Sequence, residues 1–137
     1  MNKIKIISIS LGIISLVFGL LKFVSPFKDW YTAQIETSDL PHSAHALGII
    51  GEIFIGVAFL LPFILSVTNK QKHRFLVLAN VSLIFMMIAA TVVHLIPEVP
   101  ASVLPLKIKP PIIPLMFLAI AIFNLFNVIK KQQNGFK

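Results

Sequence analysis

Lys22 and Glu52 are opposite charges set in long apolar runs, and His94 stands near the end of a third such run. A charge in hydrocarbon is costly enough that it is ordinarily paired, and it marks a functional position by default. Ser8, Gly12, Ser15, Gly19 and Lys22 follow one another by steps of 4, 3, 4 and 3. His45, Gly48, Glu52 and Gly56 follow by 3, 4 and 4. Each set lies on one face of a helix, and small residues at this spacing let two helices approach closely. The two stripes are expected to face each other and to bring the Lys22 ammonium to the Glu52 carboxylate. Thr91, His94 and Glu98 share a face of the third run, with Met87 one turn earlier. A histidine beside an acid can exchange protons near neutral pH, which makes Glu52 and His94 the candidate catalytic pair.

Metal chemistry is a poor fit to these residues. The four histidines include no His-x-x-x-His pair and there is no cysteine, so no metal is expected. Absence of cysteine also removes disulfides, CxxC redox chemistry and iron–sulfur ligation. A redox role would need a cofactor from outside the chain.

The elements that must position these residues are membrane helices. The chain has 137 residues, 57% hydrophobic and 12% charged, with a mean hydropathy of +0.92. That is about half the usual charged fraction, too little to cover the surface of a soluble domain. Apolar runs at 4–24, 44–67, 75–96 and 112–129 are each about as long as a bilayer-crossing helix. None alternates with the period of a strand, so the expected fold is one all-α membrane domain over 1–137, a four-helix bundle. Lys3 and Lys5 precede the first run, but no small-residue cleavage site follows it, so it reads as a retained helix and not a signal peptide. Pro62 is expected to bend the second helix. Asn80, Asn124 and Asn127 are expected to form interhelical amide bonds.

The net charge of +7 is largely a topology signal. Lys3, Lys5, Lys70, Lys72, Arg74, Lys130, Lys131 and Lys137 fall on one side of the bundle; only Lys22, Lys28, Lys107 and Lys109 fall on the other. The positive-inside rule then places both termini in the cytoplasm, in a multi-pass protein of the cell membrane. The bilayer is the partner this charge implies, and nucleic acid is not needed.

Both outer connections read as structured. Ser25 is suited to cap a short interfacial helix with Pro26 at its first position, placing Phe27, Trp30, Tyr31 and Ile35 on one face. Trp30 and Tyr31 are the only Trp and Tyr, suited either to anchor in the membrane interface or to touch a ligand. The stretch from Pro97 to Pro114 carries six of the nine prolines and reads as a stiff extended strap with little helix, either a cover over the outer end or a plain connector.

The segments Gly19-Leu20-Leu21-Lys22-Phe23 and Gly51-Glu52-Ile53 with Gly56, in a chain of four spans, resemble the DoxX-like family of small bacterial membrane proteins. A basic residue closing the first helix and an acid in the second are typical of that family. The resemblance implies a four-helix fold more firmly than an activity. Its relatives include a subunit of a thiosulfate:quinone oxidoreductase, components of oxidative-stress complexes, and eukaryotic proteins that assist receptor assembly. This chain departs from sulfur chemistry in lacking cysteine, so a quinone or a protein partner would carry electrons.

Three functions stand at this point. The first is a quinone or another lipophilic small molecule bound at an outer site of Lys22, Glu52, His45, Thr91, His94 and Trp30, within a redox-linked complex as an oxidoreductase subunit. The second is a non-catalytic interaction or assembly protein whose ion pair is structural. The third is a small-molecule transporter acting as a homo-oligomer, for which no inverted repeat speaks.

Overall fold

The computed structural model describes residues 2–134 and is all-α; Lys137, counted above among the basic residues, lies outside the described residues. Five helices follow in order: α1 Lys3–Leu21, α2 Phe27–Thr37, α3 Ser43–Ile64, α4 Asn69–Leu95 and α5 Ile112–Asn134. All but α2 are long and apolar enough to cross a membrane. Helix α1 packs on α3, α3 on α4, α4 on α5, and α5 returns to α1. The start of α1 and the end of α5 thus share an end of the bundle with the α3–α4 junction. Helix α2 and the strap lie at the opposite end.

The glycines and serines explain why α1 and α3 meet so closely. A Cβ added at Gly12 would stand 2.9 Å from the side chains of Phe59 and Leu60. At Gly56 it would meet the Leu16 backbone nitrogen at 2.8 Å and the Gly12 carbonyl at 2.9 Å. The two stripes therefore face each other as their spacing predicts. Hydrocarbon supplies no hydrophobic drive between helices, so this backbone approach and its dispersion contacts hold the pair.

Ser8, Asn80 and Asn124 form a wholly buried polar triad across α1, α4 and α5. The Asn124 amide donates to Ser8 Oγ at 3.0 Å and to Asn80 Oδ1 at 3.2 Å, while Asn80 donates to the Leu76 carbonyl at 2.7 Å. Asn127 does not join them. It donates to the Phe123 carbonyl of its own helix, because three residues rotate a helix by about 300° and set it about 60° round from the buried Asn124. Asn124→Leu should cost about 1 kcal/mol, since it leaves Asn80 Oδ1 and Ser8 without their donor. Detergent-unfolding midpoints of this variant and wild type measure that loss.

Helix boundaries differ from the apolar runs where capping decides them. Helix α4 begins at Asn69, well before Phe75, because Thr68 and Gln71 form a reciprocal capping box. Helix α3 ends at Ile64, two residues past Pro62. Pro62 has no N–H for the Ala58 carbonyl. Helix α2 starts at Phe27 with Pro26 in the capping position, and Ser25 makes no capping bond. Its inward face carries Tyr31 and Ile35 against Ile49. Phe27 and Trp30 instead pack edge-on against each other, 5.4 Å between ring centres, with Phe27 exposed and Trp30 half-buried.

The strap is less extended than its prolines suggest, with two short 3₁₀ turns at Ala101–Val103 and Pro105–Lys107. Val99 and Leu104 bury themselves against Val93, so the strap packs onto the end of α4. Gln34 of α2 donates to the Val103 carbonyl and ties the two outer elements together.

Candidate functional site

Lys22 is the residue that closes α1. Its side chain turns inward, not toward the headgroup region. The ammonium stands 2.8 Å from Glu52 Oε2, and both side chains are only 15% exposed. No hydrogen-bond donor among the described residues serves that buried oxygen otherwise. The same ammonium lies 3.9 Å from the centre of the Tyr31 ring. Lys22 is therefore held between a carboxylate and an aromatic face, two attractions that strengthen as water is excluded.

Tyr31 is fixed in turn by its hydroxyl, which donates to the carbonyls of Ala44 at 3.2 Å and His45 at 3.1 Å. Gly48 makes room for it, since a Cβ there would collide with the phenol oxygen. The first turn of α3 thus receives α2 through a glycine and two carbonyls. Burial, and secondarily the Glu52 carboxylate, push the Tyr31 phenol up to about 12. Folding favours the neutral phenol, so this contribution to stability is complete below about pH 10 and is lost as pH rises through about 12. Tyr31 is the only tyrosine, so its ultraviolet phenolate absorption reports the site alone. Wild type should titrate near pH 12; Gly48→Ala, by expelling the hydroxyl, should return the step toward pH 10.

His45 packs its ring 4.9 Å from that of Tyr31. Its Nε2 lies 3.2 Å from Thr32 Oγ1. The Thr32 hydroxyl gives its one hydrogen to the Lys28 carbonyl at 2.9 Å. It follows that Nε2 carries a hydrogen and donates to Thr32, leaving Nδ1 to face other partners.

Beside this cluster runs a groove of about 410 Å³ lined by Lys22, Phe23, Lys28, His45, Ala46, Ile49 and Ile50. Lys22, Lys28 and His45 are the polar members of its lining, and Phe23 and Ile50 among its apolar members are 62% exposed each. A head that accepts hydrogen bonds fits the polar members. An apolar tail fits the others.

The other expected site residues lie elsewhere. His94 is buried, with Nδ1 donating to the Lys109 carbonyl of the strap at 3.2 Å. Lys109 sends its ammonium to the carbonyls of Ile96 and Val99, capping the end of α4 where the helix dipole favours a cation. Thr91 is half-buried and donates back to the Met87 carbonyl at 2.8 Å. No hydrogen bond or ion pair among the described residues joins His94 or Thr91 to Glu52. Trp30 is half-buried, its ring packed edge-on against Phe27. Sequence spacing thus brought Lys22 to Glu52 and His45 nearby, and missed Tyr31, Thr32 and Lys28 as members of the cluster. Their only sequence signal is the break after α1, which folds α2 back over the pair. Among the described residues no group of three His, Asp or Glu side chains is placed to hold a metal ion.

No protein-family model, curated protein or solved structure matches the chain.

Proposed function

We propose that this chain is a DoxX-like integral membrane protein that binds a quinone, or a lipophilic molecule of similar build, in the groove beside Lys22. In this reading it belongs to a redox-linked complex of the cell membrane, with both termini cytoplasmic and α2 lying at the outer interface. The observation that carries the proposal is the groove itself, whose lining joins Lys22, Lys28 and His45 to the apolar Phe23, Ala46, Ile49 and Ile50. Ligand sites commonly combine an apolar lining with a few placed polar groups. A quinone carbonyl would accept from Lys22 or Lys28, with the isoprenoid tail leaving past Phe23 and Ile50. Glu52 balances the Lys22 charge and, as a carboxylate, can take up a proton from its ammonium. His45 takes the place by the head that His94 was expected to hold, and His94 becomes a positioning residue for the strap.

Trp30 is the only tryptophan, and quinones quench indole fluorescence. Short-chain ubiquinone should quench it saturably in nanodiscs. Ala46→Phe, which fills the groove without touching the ion pair, should weaken that quenching at least about tenfold. Equal saturable quenching in both proteins would defeat the proposal.

An assembly protein with a structural ion pair is the second reading. The clasp of Lys22 by Glu52 and Tyr31 favours it, because three helices are joined there without any ligand. Folding that depends on the pair, together with no saturable quenching, is the outcome that selects it.

A further inference from the structure

At the opposite end of the bundle, α4 carries a second furrow, of about 370 Å³, lined by His73, Arg74, Val77, Leu78 and Val81. Residues at these spacings share one face of the helix, and Lys70 lies one turn before Arg74 on that same face. The polar side chains of this face are uncommitted: among the described residues, Lys70, His73 and Arg74 have no ion pair or side-chain hydrogen bond. Lys72 is turned away from them, its ammonium 4.3 Å from the ring of Phe63. Among the described residues no carboxylate side chain stands at this end, since Asp29 and Glu36 belong to α2, Asp39 to the connection between α2 and α3, Glu52 to the upper part of α3 and Glu98 to the strap side.

The apolar run of α4 begins at Phe75, immediately after Arg74. The boundary between water and hydrocarbon therefore crosses the furrow between its cationic and apolar parts. From Arg74 to Val81 the helix rises about 10 Å, enough to line the upper part of an acyl chain. A soluble anion would use the cations and leave Val77, Leu78 and Val81 without purpose. A neutral lipid would use the apolar part and leave the cations unbalanced.

We propose that this furrow is a binding site for one anionic glycerophospholipid, its phosphate against Arg74, Lys70 and His73 and one acyl chain along Val77, Leu78 and Val81. Cations just outside the hydrocarbon attract anionic headgroups, and a guanidinium matches phosphate geometry. The site is independent of the groove beside Lys22.

The test is native mass spectrometry of the intact chain in neutral detergent, titrated with phosphatidylglycerol, phosphatidylcholine or chain-free glycerophosphoglycerol. One phosphatidylglycerol should bind at least about tenfold more tightly than phosphatidylcholine, and Lys70→Gln/Arg74→Gln should weaken it about tenfold. Lys130→Gln/Lys131→Gln removes the same charge from the end of α5 and should leave the affinity unchanged. Equal binding of the two lipids would overturn the proposal, as would equal weakening by the α5 control. Competition by the chain-free headgroup at the same concentration as phosphatidylglycerol would show a soluble-phosphate site instead.

Discussion

Lys22→Met will destabilise the protein by about 3 kcal/mol, more than Glu52→Gln, which will cost about 1 kcal/mol. The asymmetry follows from what each change leaves behind. With Lys22 gone, the Glu52 oxygen that faced it has no donor in reach and sits within the packed α1–α3 contact. With Glu52 neutral, Lys22 keeps the Tyr31 ring and a flexible stem, so its ammonium can swing toward the polar interface. The combined Lys22→Met/Glu52→Gln protein should recover most of the loss, because no uncompensated ion remains. Midpoints of unfolding in mixed micelles for the four proteins give the coupling directly, and it should be about 3 kcal/mol. Additive losses would mean that the two groups do not act as a pair.

The second large effect concerns backbone approach. Gly56→Ala should cost about 2 kcal/mol, because the new methyl meets the Leu16 nitrogen and the Gly12 carbonyl, which cannot move without parting the helices. Gly51→Ala meets only the terminal methyl of Met86, at 2.5 Å, which can rotate aside. Alanine is also the better helix former by about 1 kcal/mol, so this variant should be neutral or slightly stabilised. The same unfolding midpoint separates the two, and a similar loss at both positions would contradict close α1–α3 packing as the source of stability.

These two predictions rest on features that were legible as residue spacing. The steps of 3 and 4 linking Gly12, Ser15, Gly19 and Lys22, and Gly48, Glu52 and Gly56, are properties of single helices, and hydrocarbon leaves small stripes little else to do than meet. The four spans were readable for the same reason, since length and apolarity alone decide them. Tyr31 was not legible as a partner of Lys22. Its place depends on how α2 turns back after Leu21 and on space at Gly48, a long-range fit that no period records. The hydrogen-bond partner of His94 was not legible for a related reason. Helical spacing gives its face, but the Lys109 carbonyl, 15 residues on in an irregular strap, decides its bond. Asn127 shows the same limit, because an amide near a helix interface can return its hydrogen to its own helix.

The central claim is that the groove beside Lys22 holds a lipophilic molecule with a hydrogen-bond-accepting head. Mass spectrometry of lipophilic molecules extracted from the purified protein tests it most directly, comparing wild type with Ala46→Phe and with the folded Lys22→Met/Glu52→Gln protein. The account predicts a quinone or a molecule of similar build in near-stoichiometric amount in wild type, and its loss from both variants. No such molecule in wild type, or equal amounts in all three proteins, would contradict it.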